Sequence, residues 1–242
     1  HFMLVNLFAK HYDSNTATRD LGIPYALSTE TESRTHYERD KVSVVYNNIE
    51  KDILAAIPLL DNRYIFEPKF HFTKASAYAF LSRFYLYKWD FEKCILYSDS
   101  ALLINSSVRN LIQDYNSFIE SGDFSGFSDD YFADTKENIL LMNKVLEWNS
   151  YSATGFYANE FMTYFMEDDL RGDLFVFNSN ASPNWHVLKF KGDYKDGQQY
   201  SNVALFTVEE VLLNRAEAST YSTEREMDQA VSDLNAILKY RY

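Results

Sequence analysis

Two stretches of this chain repeat one pattern, and the repeat restricts the fold more than any other feature. The first reads Tyr78, Leu81, Ser82 and Tyr85, then Cys94, Ser98, Ala101 and Ser106; the second reads Asn214, Glu217, Ala218 and Tyr221, then Ala230, Leu234 and Ile237. Tyr85 and Tyr221 stand 136 residues apart, as do Cys94 and Ala230. Small residues at helical spacing let two helices approach, and an aromatic fills the gap beside them, so each copy predicts a helical hairpin of roughly 34 residues. Glu217 stands where such hairpins favour leucine, which makes the second copy the looser match.

Local signals place the helix ends. Thr207-x-x-Glu210 and Thr223-x-x-Glu226 read as capping boxes that start the two helices of the second copy. Trp89-Asp90-Phe91 marks the turn of the first, with Asp90 as N-cap. Val42, Val45, Tyr46, Ile49, Ile53, Ala56, Ile57 and Leu60 fall on one helical face, and Pro58 is expected to kink or end that helix. The expected architecture is mainly all-α, in the manner of tetratricopeptide (TPR) repeats, with long irregular loop insertions and room for a short hairpin. Helix pairs are expected at residues 73–104 and 207–240, and a third from helices near 1–13 and 40–57. Ser82, Cys94, Ala101, Ala218 and Ala230 are expected to be buried, with Tyr85 and Tyr221 packed between helices.

Composition narrows the function. A formal net charge of −12 with no basic stripe argues against nucleic-acid binding. Only 7 Gly and 4 Pro in 242 residues argue against a sheet sandwich, with its many tight turns. Cys94 is the single cysteine, which excludes an intrachain disulfide; its place among the small residues marks a packing role. No run is long enough to span a bilayer as a helix.

The middle of the chain differs in kind. Residues 104–138 are rich in Ser, Asn and Asp and read as a long loop with a short helix near Leu111–Phe118. Ile139–Met142 is too short to classify by period, and Trp185–Phe190 alternates in part, as a strand of a short hairpin would. Trp148, Tyr151, Phe156, Tyr157 and Trp185 lie among Asn149, Ser150, Ser152, Thr154, Asn159 and Asn184. Rings set among amides and hydroxyls suit polyhydroxylated or peptidic ligands, because a ring face covers C–H surface while amides bond the polar groups. Trp148, Asn149, Tyr151, Tyr157 and Trp185 are therefore the candidate ligand-binding residues, for a neutral or weakly charged ligand.

Seven motifs in order along the chain resemble the SusD/RagB family of outer-membrane nutrient-binding lipoproteins of Bacteroidetes. They are Phe2–Ala9 with Leu21-Gly22-Ile23-Pro24-Tyr25, Val44–Ile53, Phe72–Tyr87, Glu137-Asn138-Ile139, Asp168-Asp169-Leu170-Arg171, Leu212–Ala218 and Asp233-Leu234-Asn235. The resemblance implies a cell-surface, lipid-anchored protein of the outer membrane that captures oligosaccharides, or in some branches peptides, for a SusC-like TonB-dependent transporter, without catalysis, metal or cofactor. Against that family the chain is expected to be a single domain, 1–242, lacking the N-terminal lipoprotein region with its anchoring cysteine, the first TPR helices and a C-terminal segment.

Two rival functions find less support. Glu167-Asp168-Asp169 are adjacent, whereas glycoside hydrolysis needs carboxylates facing each other across about 5–10 Å; Asp169 and Arg171 are expected to pair or cap locally. His1, His11, His36, His71 and His186 show no metal-ligand spacing, and no phosphate loop or nucleophile elbow occurs. A peptide-binding TPR adaptor would place at least three repeats in succession, whereas these two copies are separated by long insertions.

Overall fold

The computed structural model describes residues 1–27, 29, 36–61, 66–121, 136–147, 156–157, 168–178, 185–187, 193–195, 198–224 and 226–242. Its helices are α1 (Phe2–Phe8), α2 (Val42–Ala56), α3 (Lys74–Lys88), α4 (Phe91–Ile104), α5 (Leu111–Ser121), α6 (Leu170–Phe175), α7 (Val208–Tyr221) and α8 (Met227–Leu238). The strands are β1 (Ile139–Glu147), β2 (Phe156–Tyr157), β3 (Val176–Asn178), β4 (Trp185–Val187), β5 (Asp193–Lys195) and β6 (Gln198–Thr207).

The two expected hairpins are α3–α4 and α7–α8, and the five small residues picked from the repeat are all buried. The two hairpins meet around Ser82. Ser82 on α3 sits 2.8 Å from the Ser98 hydroxyl of α4 and accepts from the Asn214 amide of α7 at 3.2 Å, with the Cys94 thiol donating to the Asn214 carbonyl at 3.6 Å. Four buried polar residues thus satisfy one another at the crossing. The second hairpin is closed by Arg215, which pairs with Asp233 of α8 at 2.6 Å and reaches Asp99 of α4 at 2.6 Å.

Helix α3 is buried on several sides because it separates two cores. One gathers Phe2, Val5, Val45, Tyr46 and Ile49 from α1 and α2 against Leu81, Phe84 and Tyr85. The other gathers Ala75 and Ala79 against Leu140, Leu141, Phe206, Val211 and Leu212. Thr73 and Ser76 form a reciprocal capping box at its start, a Thr-x-x-Ser pair that the Thr-x-x-Glu pattern passes over. Glu50 ties α2 to the first hairpin, accepting from the Tyr85 hydroxyl at 2.7 Å and pairing with Lys88 and Lys93. Gly22 fits because a side chain there would meet Val45 at 3.1 Å and the Asp40 carbonyl at 3.2 Å.

Several expectations need correction. The first helix stops at Phe8, and an Asp13 turn follows in which the side chain accepts from the Asn15 N–H at 2.8 Å. Pro58 ends α2 as expected, in a 3-10 turn over Ile57–Leu59. Thr207 does cap α7, but the Glu210 carboxylate turns away to Arg83 instead of completing the box. Thr223 caps nothing: its N–H and hydroxyl both go to Glu92 of α4, leaving α8 without a side-chain cap. Tyr221 is 65% exposed although its counterpart Tyr85 is buried. Tyr85 is covered by Tyr97, stacked at 5.3 Å, and by Glu50, whereas the ring against Tyr221 is Phe91 alone among the described residues.

More strand is present than the sequence suggested. Two three-stranded antiparallel sheets form, ordered β1-β6-β5 and β2-β4-β3. Ile139–Met142 opens β1, whose partner is the distant β6 with an irregularity between Ile139 and Met142. Strand β6 runs straight into α7, and the Val208 N–H donates to the Asn138 carbonyl at 2.9 Å, so this sheet is fixed to the second hairpin.

Two consequences are measurable. Ala218→Leu at the fully buried crossing is expected to cost about 1–3 kcal/mol by overpacking, read as a lower midpoint in urea; an unchanged midpoint would contradict the helix register. Burial opposes ionisation of Glu50, but the bonds from Lys88 and Tyr85 and the charges of Lys88 and Lys93 overcome it and hold the carboxyl below its ordinary value of 4.5. A depressed folded-state value stabilises the fold at neutral pH and is lost as pH falls through the acid range. Glu50→Gln is therefore expected to lower the melting temperature at pH 7 and to flatten its decline below about pH 4.5; equal pH slopes would contradict this.

Candidate functional site

Strands β2, β3 and β4 carry two of the ring residues singled out from the sequence. Tyr157 and Trp185 are direct register partners, and Trp185 is also opposite Asn178 of β3. Directly opposed residues of antiparallel strands share a face, so Tyr157, Trp185 and Asn178 occupy one register row of the sheet. The adjacent row is Phe156–His186–Phe177. Trp148, Asn149 and Tyr151 lie outside the described residues. Asn178 was not among the sequence candidates; its only signal is a place at the end of the short run Val176-Phe177-Asn178 after a helix.

Helix α6 passes directly into β3 of this sheet. Leu174 of α6 is buried, and the Leu170 N–H donates to the Arg241 carbonyl at 3.2 Å beside the end of α8. Asp169 accepts from the Arg171 backbone at 3.0 Å and from its guanidinium at 2.9 Å. Burial resists the Asp169 charge, yet the bonds and charge of Arg171 hold its carboxyl below the usual range. Asp169 is therefore a local anchor, paired with Arg171 as expected.

Two clefts open elsewhere, on either side of Arg83. The larger, about 660 Å³, is walled by Ile53, Phe72, Phe80 and Phe206; at its rim the Tyr25 hydroxyl donates to Asp52 at 2.6 Å. Burial and Asp52 together push the Tyr25 phenol up to about 12. The smaller, about 330 Å³, is lined by Asn138, Glu209 and Glu210. Glu209 accepts from the Asn138 amide at 3.0 Å, while Glu210 pairs with Arg83, whose guanidinium also donates to the Leu205 carbonyl and lies 4.3 Å from the Phe206 ring centre. The carboxylates of the smaller cleft are engaged in holding the sheet to α3 and α7. Burial raises the Cys94 thiol to about 11, the state of a packed thiol and not of a nucleophile. Among the described residues no three His, Cys, Asp or Glu side chains gather to hold a metal ion, and no helix is long and apolar enough to cross a membrane.

Comparison with solved structures decides what fold this is. A SusD-like carbohydrate binding protein from Bacteroides vulgatus matches with a TM-score of 0.71 at 19% identity, over 99% of this chain and 52% of that one. A SusD superfamily protein from Bacteroides thetaiotaomicron matches with a TM-score of 0.73 at 17% identity, over 99% of this chain and 56% of that one. The chain has the fold of these SusD-like proteins. Residues 1–86 also match a SusD-like family model described as starch-binding and associating with the outer membrane. The surface glycan-binding protein A from Bacteroides uniformis shares the SusD-like fold at a TM-score of 0.65 and 17% identity, over 96% of this chain and 55% of that one. This chain spans about half the length of the solved structures it matches. No curated protein matches it in sequence.

Proposed function

We propose that this chain is the scaffold and part of the binding surface of a non-catalytic, cell-surface glycan-binding protein that passes oligosaccharides to a SusC-like TonB-dependent transporter. The observation that carries this reading is that Tyr157, Trp185 and Asn178 share one register row of a short sheet joined to a helix. Rings give affinity through their faces, and an amide beside them discriminates among hydroxyl patterns. The likeness to proteins named as carbohydrate-binding or glycan-binding supports the choice of ligand class, and the starch-binding description of the matching family supports it further. Trp148, Asn149 and Tyr151, close in sequence to β2, extend the proposed surface.

The same reading treats residues 1–242 as one unit, with α3–α4 and α7–α8 as TPR-type pairs and α1–α2 as a third pair at the N-terminal side. It places the mature protein at the outer membrane, held by a lipid anchor.

The test is a glycan and peptide array on the protein, followed by titration of the strongest ligand. Trp185→Ala combined with Tyr157→Ala is expected to weaken binding about tenfold, or ~1.4 kcal/mol, with the circular dichroism spectrum retained. A change of less than about twofold would make the sheet structural. A peptide as the strongest ligand would replace the glycan assignment.

A further inference from the structure

Trp89 is the single residue other than glycine with a positive φ, 62°, among the described residues, and it is 72% exposed. It follows the last residue of α3; its N–H donates to the Leu86 and Tyr85 carbonyls, and the Asp90 N–H also returns to Tyr85. Glycine fills such a left-handed cap best, because any Cβ there crowds the backbone. A tryptophan in this place is disfavoured by its backbone and regains little by burial. A strained, exposed ring of this size points to a use outside the fold.

Two further rings join it. Phe91 lies 6.1 Å from Trp89 and stacks on Tyr221 at 5.4 Å with 26° between the planes. Tyr221, the exposed counterpart of buried Tyr85, ends α7. The turn of the first hairpin and the end of the first helix of the second thus bring their rings to one edge. Glu92, accepting from Thr223, fastens that edge across the hairpins.

The surroundings specify the occupant. Asp90 caps α4 and pairs with Lys93, Lys93 also meets Glu50, and Glu92 is engaged by Thr223, so the nearby charges are matched within the fold. Glu92 and Lys93 are exposed and interrupt the apolar surface. A protein helix or a second copy laid here would desolvate them without new partners. An uncharged pyranose chain needs only ring faces for its C–H surface and polar side chains at the margin for its hydroxyls. We infer that the Trp89–Phe91–Tyr221 edge is a second glycan-stacking site, on the helical frame and separate from the Tyr157–Trp185 sheet. This rests on the glycan-binding reading and adds a further point of attachment, which strengthens retention of long chains through effective concentration.

The experiment is native electrophoresis through gels containing amylopectin, pullulan, galactomannan or xyloglucan, with melting temperatures measured in parallel. Trp89→Gly is expected to melt at or above the wild-type temperature, because glycine relieves the φ, yet to lose about three- to tenfold in apparent affinity for the polysaccharide that retards the wild type. Tyr221→Ala is expected to act in the same direction. Binding by Trp89→Gly within twofold of wild type overturns the second site and leaves the sheet reading standing. A loss in Trp89→Gly with none in the Tyr157→Ala and Trp185→Ala pair upholds the second site and removes the sheet. Retardation of the wild type by none of the four removes both. A shift from dimer to monomer in sedimentation, with retardation unchanged, would make the edge a protein interface and overturn the proposal.

Discussion

The rest of the structure depends on the close approach of α3, α4 and α7 around Ser82. That hydroxyl is fully buried and meets Ser98 and Asn214, one group from each neighbouring helix. Large side chains at this crossing would separate the hairpins; apolar small ones would leave the Asn214 amide without its partner. Because α7 continues from β6, and β6 pairs with β1, the same crossing sets where the first sheet lies. Arg83, one residue after Ser82, then fastens that sheet through Leu205 and Glu210.

The hairpins were legible because their signal is local and repeated: small residues, an aromatic and Asp90 at the turn, all within a short span. What the repeat could not give was the environment of each copy. Tyr85 and Tyr221 occupy equivalent positions, yet Glu50 and Tyr97 cover the first and not the second. Thr223 carries the capping pattern, but a carboxylate distant in sequence, Glu92, takes its donors. The strands were less legible still. Strand β1 pairs with β6 from Ile139↔Thr207 to Glu147↔Gln199, far beyond any sequence window. Asp196-Gly197, a dipeptide favoured in tight hairpins, lies between the paired residues Lys195 and Gln198 and went unused as a signal.

The motifs that carried the family resemblance prove to be frame residues. Thr73 caps α3, Asn138 holds Glu209, Asp169 holds Arg171, and Arg215 joins Asp233. Each solves a problem of helix ends or of strand-to-helix junctions, which any ligand specificity would leave in place. The residues proposed to meet ligand lie instead on short strands, as Tyr157 and Trp185 do, and at a turn, as Trp89 does. That division explains why a fold could be read from this sequence while a particular glycan could not.

A thermodynamic double-mutant cycle across the crossing tests this account most directly. Ser82→Ala, Asn214→Ala and the double variant would be unfolded in urea and their stabilities compared. Each single change is expected to be destabilising, with a coupling between them of about 1 kcal/mol or more, because Ser82→Ala leaves the buried Asn214 amide unpaired and Asn214→Ala leaves the Ser82 hydroxyl with Ser98 alone. Additivity within about 0.3 kcal/mol would mean that the two helices do not depend on this contact, and would contradict the account.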